Sequence, residues 1–321
     1  MTRRLLVAQP FDLALTLEMG QTFRWRRVGD EDVSERPWGD PPERWRTGQG
    51  WYSGVLGSYL VHIRQRDRGI EHRVGGPGGE LHDVDLSGTL HDYFRLDDDV
   101  EAIHDVLRRD RVVGAAVERY AGLRLLRQEP WECLVSFACS RRRRIRSTRN
   151  DVEAIAKLGG VTVRLDDDCR AVFPDAESLA SRESALGDLP LGMGKRTILA
   201  LTRRLASEPQ SLDQLAGTSA STEDAVRHLE GYWGVGPKIA NCVALMSLDK
   251  LDAFPVDVWV RRALAKCDLA GMQSDLEEKV KGTRTLTSSQ QHRIAEWART
   301  RFGPYAGYAG QYLFHSVEPR K

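Results

Sequence analysis

The segment Glu230-Gly231-Tyr232-Trp233-Gly234-Val235-Gly236-Pro237-Lys238-Ile239-Ala240-Asn241-Cys242 constrains the fold of this chain more than any other. Residues 221–230 before it suit a polar amphipathic helix. Gly234 and Gly236 tolerate backbone angles closed to other residues, so a tight hairpin follows. Pro237 then fits the first turn of a new helix, where its fixed φ and missing N–H cost nothing. Ile239, Ala240, Val243, Ala244 and Met246 continue that helix as a mostly apolar one. The spacing predicts helix, glycine hairpin, helix. The backbone N–H groups of such a hairpin and the N-terminus of its second helix make a site for one phosphate without any basic side chain.

Lys238 stands in the first turn of the second helix, at the positive end of its dipole, where a cation is disfavoured. Such a lysine is either exposed and inconsequential or kept for its free amine. After a short loop over 249–253 comes Phe254-Pro255-Val256-Asp257-Val258-Trp259-Val260-Arg261-Arg262. Asp257 precedes an amphipathic run and, taken alone, reads as a helix N-cap.

Composition sets wide bounds. A chain of 321 residues has room for a sizeable core and two domains. Hydrophobic content of 41% and charged content of 29% are ordinary for a soluble protein. No run of about twenty apolar residues predicts a membrane span, and the N-terminal Arg3-Arg4 with its short apolar stretch is too little for a signal peptide. A cytoplasmic protein without a membrane partner is expected, associated with the nucleoid in a bacterial or archaeal cell. The net charge of +1 neither announces nor excludes nucleic acid, because the acid runs 97–99 and 166–168 can sit apart from the basic run 141–144. The five cysteines are odd in number and scattered, which suits reduced thiols. They form no close group of four for an iron–sulfur cluster, and no His/Cys spacing suggests zinc, so no metal site is expected.

The fold class reads as α+β. Residues 1–105 form an N-terminal antiparallel β-sheet domain and 106–321 an α-helical domain. Period-two alternation marks strands at 11–17, 22–25, 52–56 and 59–63. Residues 29–50 are polar and rich in Pro and Gly, a long surface loop. Helical patterning then runs through 100–109, 113–120, 130–139, 145–157, 176–181, 195–206, 211–216, 258–266, 289–302 and 305–317, with 130–139 apolar on nearly every face and hence central.

Hairpin, lysine and carboxylate together resemble the helix-hairpin-helix DNA glycosylases, whose hairpin is followed by a catalytic lysine and then a Val-Asp pair. Lys238 and Val256-Asp257 hold those positions. Three further motifs resemble 8-oxoguanine DNA glycosylases, in the branch without an iron–sulfur cluster: Met19-Gly20-Gln21-Thr22-Phe23-Arg24-Trp25, then Leu123-Arg124-Leu125-Leu126-Arg127-Gln128-Glu129-Pro130, and Ala306-Gly307-Tyr308-Ala309. The resemblance implies a bifunctional glycosylase/AP lyase of base excision repair, a monomer acting on double-stranded DNA that contains a damaged base. The target base must leave the stack. The resemblance has the Gly20 carbonyl accept from the N7–H that 8-oxoguanine has and guanine lacks; alone, Gly20 reads as a β-bulge glycine. Lys238 and Cys242, four apart on one helix face, would lie against the flipped base, and Phe314 would stack on it. Alone, Cys242 and Phe314 read as core. Asp257 would stabilise positive charge on the sugar, neutral Lys238 would attack C1′ and hold the sugar as an imine, and Gly234 and Gly236 would admit a phosphate. No cofactor is implied beyond a monovalent cation that can sit at the hairpin.

Several positions depart from the family. Cys139-Ser140 runs into Arg141-Arg142-Arg143-Arg144 where the family has asparagines, one of which reads the cytosine opposite the lesion. Ser147 and Gly194 stand near the places of that reading's arginines, and Met193 replaces an aromatic wedge. Gly310 stands where a glutamine contacts the base's Watson–Crick edge, with Gln311 adjacent, and Trp259 replaces a phosphate-contacting histidine. Losing a bidentate base contact removes about 1–3 kcal/mol of discrimination. Weak opposite-base preference is therefore expected, with the arginine run either gripping phosphates or forming a solvated cluster. Two alternatives stay open: a glycosylase of altered base specificity, and a non-catalytic protein that binds damaged DNA on the same scaffold. Retention of both Lys238 and Asp257 argues against the second.

Overall fold

The computed structural model describes residues 2–28, 50–208, 211–217, 220–282 and 284–316. The polar loop expected at 29–50 lies, Gly50 apart, outside the described residues. The sheet is antiparallel throughout and contains β1 (Arg3–Leu6), β2 (Arg26–Arg27), β3 (Tyr52–Leu56), β4 (Tyr59–Arg66), β5 (Gly69–Gly76), β6 (Gly79–Leu81), β7 (Thr162–Leu165) and β8 (Asp168–Ala171). The main path runs β2-β3-β4-β5-β7-β8, with β1 and β6 also paired to β5. Tight two-residue turns set the register, Leu56 opposite Tyr59 and Arg66 opposite Gly69. The first turn residue is left-handed in each, Gly57 at φ 57° and Asp67 at φ 52°.

One face of the sheet is apolar. Val61, Ile63, Ile70 and Val74 pack with Leu13, Leu17, Trp25, Leu90 and Phe94 in one core. Trp25 lies flat on β3 because position 54 is glycine: a Cβ there would fall 2.5 Å from the indole. The indole N–H donates to Tyr93 Oη at 2.8 Å.

Two strand expectations need correction, and one hairpin lies within the segment expected to be helical. Residues 11–17 alternate in sequence, yet Leu13–Glu18 is a helix capped by Asp12, whose side chain accepts from Leu15 N. Leu13 to Leu17 are all buried there, so the two-residue period carried no information about exposure. Residues 22–25 are not a strand; only Arg26–Arg27 pairs with β3. Residues 162–171 form the β7–β8 hairpin and join the sheet through Gly76 opposite Arg164. A shorter difference lies at 211–216, where only the 3-10 turn Asp213–Leu215 is helical.

The chain groups into two compact units, Met1–Asp98 with Gly122–Ser211 and Asp99–Ala121 with Leu212–Lys321. These cross the division at 105 and 106 read from the sequence. The first holds the sheet and the helices Pro130–Cys139, Ile145–Leu158 and Lys195–Ser207. The second is helical: Val100–Leu107, Arg111–Arg119, Thr222–Glu230, Pro237–Ser247, Val258–Leu264, Ser274–Lys281, Ser288–Phe302 and Ala306–Ser316. No helix among the described residues is long and apolar enough to cross a membrane.

Candidate active site

In the helical unit, Ser221 caps the Thr222–Glu230 helix and Gly231 ends it. A turn follows in which Val235 N–H donates to the Tyr232 carbonyl at 3.1 Å. Gly234 takes the third place of that turn at φ 79°, as a type II turn requires. Tyr232 and Val235 are buried, and Trp233 and Gly234 are exposed. Tyr232 Oη lies 3.2 Å from His228 Nε2, anchoring the hairpin to the helix before it. Gly236 differs from Gly234: its backbone is extended, and a Cβ would meet nothing within 4 Å. The fold itself tolerates a side chain there, so the glycine leaves space above the N-terminus of the Pro237–Ser247 helix.

Lys238 sits half-buried in that helix's first turn, one turn before Cys242, whose thiol feels its charge. Asp257 caps the Val258–Leu264 helix, accepting at Oδ1 from Trp259 N at 2.8 Å and Val260 N at 2.7 Å. Burial pushes the Asp257 carboxyl above its ordinary range, against the pull of those N–H groups and of the Lys238 charge. Burial also pushes the Cys242 thiol up to about 11, while Lys238 draws it down. Two helix N-termini thus bring one amine, one carboxyl and one thiol together.

Asn241 holds the two pieces in register. Its Nδ2 donates to the Pro237 carbonyl at 2.9 Å and its Oδ1 accepts from Phe254 N at 3.1 Å. One buried side chain therefore spans the first turn carrying Lys238 and the segment leading to Asp257. The sequence reading passed over it; the available signal was a polar residue among apolar helix neighbours.

The Ala306–Ser316 helix packs on this framework through its glycines. A Cβ at Gly307 would lie 2.2 Å from Leu245 Cδ1 and 2.7 Å from the Leu251 carbonyl. A Cβ at Gly310 would lie 3.1 Å from the Phe254 ring, itself fully buried. Phe314 is the next residue along that row, half-buried, its ring edge-on to His315 at 5.1 Å. Gln311 is turned about 100° from Gly310 around the helix. It is buried, and its Nε2 lies 3.1 Å from His315 Nε2. Burial pushes His315 down to about 3, so its ring is neutral and accepts from the amide.

In the sheet-containing unit, Gly20 follows the Leu13–Glu18 helix at φ 77°. It is the left-handed residue ending that helix, not a β-bulge glycine. Among the described residues no hydrogen bond is assigned to its carbonyl. Gln21 beside it donates to the Arg124 carbonyl at 2.8 Å and accepts from Leu126 N at 3.1 Å. Gln128 Nε2 donates to the Gln21 carbonyl at 2.9 Å. Two motifs a hundred residues apart are therefore one hydrogen-bonded structure.

The arginine run divides in two. Arg143 holds Asp151 with paired bonds of 2.7 and 3.0 Å and also donates to the Pro190 carbonyl. Arg141 donates to Thr197 Oγ1 at 2.9 Å. Arg142, left-handed at φ 52°, and Arg144 are exposed. Arg143 also borders the short Gly192–Gly194 turn, where Met193 is 53% exposed. A Cβ at Gly194 would lie 2.5 Å from the Ala138 carbonyl, so position 194 has no room for any side chain. Trp259 is half-exposed, with the Arg262 guanidinium 4.7 Å over its ring.

Residues 4–134 match the family model for the N-terminal domain of 8-oxoguanine DNA glycosylase. An N-glycosylase/DNA lyase of Saccharomyces cerevisiae is 31% identical, over 94% of this chain and 82% of that protein. The N-glycosylase/DNA lyase OGG1 of Arabidopsis thaliana is 30% identical, over 96% of this chain and 77% of its own length. Among solved structures, MBOgg1 in complex with a low-affinity DNA ligand superposes with a TM-score of 0.76 at 27% identity, covering 98% of this chain and 94% of its own. The Clostridium acetobutylicum 8-oxoguanine glycosylase/lyase shares the fold, with a TM-score of 0.77 at 23% identity over 98% of this chain and 97% of its own. With such relatives matched along nearly its whole length, the chain belongs to the 8-oxoguanine DNA glycosylase family of helix-hairpin-helix N-glycosylase/DNA lyases.

Proposed function

We propose that this chain removes 8-oxoguanine or a related oxidised purine from duplex DNA and then cuts the strand, with Lys238 as nucleophile and Asp257 as its electrostatic partner. The enzyme class follows from the family: the chain is a bifunctional repair glycosylase with lyase activity. The observation that carries the residue roles is the meeting of Lys238, Cys242 and Asp257 at two helix N-termini.

Lys238 gives a proton to water and attacks C1′ as the free amine. The bond from C1′ to the base nitrogen breaks, its electron pair leaves with the base, and the base takes up a proton. Ionised Asp257 opposes the positive charge that develops on the sugar, an effect largest where water is excluded. The amine then gives up a proton as O4′ gains one, the ring opens, and the C1′–Nζ linkage becomes an imine. The imine acidifies C2′. Loss of a C2′ proton drives out the 3′ oxygen with its electron pair, and the strand is cut. Cys242 remains a thiol at neutral pH, with its pKa near 11, and leaves the amine as nucleophile.

The Gly20 carbonyl, not bonded among the described residues, suits recognition of N7–H. Phe314 suits stacking on the purine. Gln311, turned to His315, is a poor candidate for the Watson–Crick edge. Arg142, Arg144 and Trp259 suit phosphate contacts, and Met193 suits the space left by the extruded base. A monovalent cation at the hairpin fits an all-carbonyl donor set, since no charged side chain lies between Gly231 and Pro237; it would add positive charge beside the bound phosphate. The chain acts on this reading as a monomer, wherever the cell keeps its DNA.

Borohydride trapping on a duplex with one 8-oxoguanine opposite cytosine tests the chemistry. A covalent adduct is expected from the parent and none from Lys238→Gln, which still binds the duplex. An adduct that survives the substitution would remove Lys238 from the mechanism. An adduct on an abasic site but none on 8-oxoguanine would keep the lyase and discard the base.

A further inference from the structure

Among the described residues of the helical unit, two large hydrophobic side chains are exposed, Trp233 at 58% and Val258 at 61%. A single exposed apolar residue is common on any protein and needs no explanation. Here both adjoin the catalytic pair: Trp233 is five residues before Lys238, and Val258 follows Asp257 directly.

Neither can withdraw into the core. Trp233 holds the second place of the Tyr232–Val235 turn, whose outer residues are the buried ones. Val258 is the first residue of its helix, and Val260 takes the buried side. Gly234 beside Trp233 is exposed and a Cβ at Gly236 would meet nothing within 4 Å, so the hairpin itself leaves the indole open to a ligand approaching the helix N-terminus.

A strand whose phosphate lies on those backbone N–H groups carries a deoxyribose on either side of it, and a deoxyribose presents an apolar C–H face. We propose that Trp233 and Val258 form an apolar rim around the catalytic pair and pack on the deoxyriboses that flank the target nucleotide. The inference rests on the reading of this site as one that acts on DNA. Such contacts neutralise no phosphate and read no base edge. They add affinity that is independent of salt and of sequence.

The test is the dissociation constant of the full chain for a duplex with one tetrahydrofuran abasic analogue, which resists cleavage, measured by fluorescence anisotropy across a salt series. Trp233→Ala is expected to weaken binding about tenfold. The slope of log Kd against log salt and the thermal midpoint should both stay at the parent's values. Val258→Ala should weaken binding less, and Trp233→Phe should retain most of the affinity. The emission difference between parent and Trp233→Phe should be quenched by the duplex. Parent-like binding by Trp233→Ala overturns the rim, as does a loss accompanied by a shallower salt slope. If the parent itself fails to bind the duplex, the reading of the site as DNA-directed falls; if the parent binds and Trp233→Ala binds equally, the rim alone falls.

Discussion

Asp257 serves two ends that conflict. As an N-cap it accepts from Trp259 and Val260, which any Asp or Asn could do. In the catalytic role proposed for it, it must be ionised where burial disfavours the charge, and its pKa is accordingly raised. A raised folded-state value means that the folded chain holds this proton to higher pH than the unfolded chain does. Its contribution to stability is full below the unfolded value, about 3.9, and is lost as pH rises through the folded value. Asp257→Asn should therefore raise the thermal midpoint at pH 7, and the gain should vanish as pH falls towards 4. Single-turnover excision should meanwhile drop by about two to three orders of magnitude. A midpoint at pH 7 unchanged by the substitution would mean that the buried charge costs nothing. The same carboxyl sets an acid limb in the parent: excision should fall on acidification at a higher pH than an ordinary aspartate would give.

Asn241 offers a second expectation at this scale. Asn241→Leu fits an apolar helix but leaves Phe254 N–H without its acceptor. Urea titration should show a loss of about 1–3 kcal/mol, and excision should slow through misplacement of Asp257 relative to Lys238. Asn241→Asp keeps the acceptor but turns a second oxygen towards the Pro237 carbonyl, so it should recover only part of the rate, which a merely apolar packing role would not allow.

At the scale of elements, the arginine run is the instructive case. Four identical residues look alike in a sequence, yet backbone position gives them different work. Arg143→Ala would leave the Asp151 carboxylate buried without its paired donor, and the melting temperature should fall, by an amount equivalent to about 2–3 kcal/mol. Arg142→Ala touches no such pair and should leave the melting temperature alone. Instead it should weaken duplex binding and lower the salt slope by about one. Exchange of these two outcomes would mean that exposure is a poor guide to phosphate contact in this loop. The acid run at 166–168 was equally opaque. Asp166 is the left-handed residue of the β7–β8 turn and pairs with Arg73 at 2.6 Å. Asp168 bonds Ser53, His62 and Arg26. Burial pushes its carboxyl up, but the His62 and Ser53 hydrogen bonds and the Arg26 charge prevail and hold it well below the usual range. The hairpin at 230–242 was legible because glycine, proline and helix periodicity each act locally. Partners such as Asp168 and Ser53 lie 115 positions apart, and no local rule finds them.

At the scale of the whole molecule, the α+β character was readable and its partition into units was not. A change of period near residue 90 locates the start of helical patterning, but it does not reveal that β7 and β8 return to the first sheet. The departures from the family's pattern were readable as substitutions; the reason one of them is fixed is geometric. Position 194 admits no side chain against the Ala138 carbonyl, and Arg143 and Arg141 are committed to Asp151 and Thr197. These residues belong to one compact unit, and Lys238 and Asp257 to the other. A bidentate base contact is worth about 1–3 kcal/mol, or roughly 5- to 150-fold in rate or affinity. With Arg141 and Arg143 committed within the loop and Arg142 and Arg144 proposed for phosphates, excision of 8-oxoguanine opposite A, C, G and T should differ by less than about tenfold in single-turnover assays. Arg143→Ala should not sharpen that ratio, because Arg143 acts within the loop. A cytosine preference of a hundredfold in the parent would show that a side chain other than Arg141 and Arg143 reads the partner strand. Loss of that preference in Met193→Ala would then locate the reader at the exposed turn.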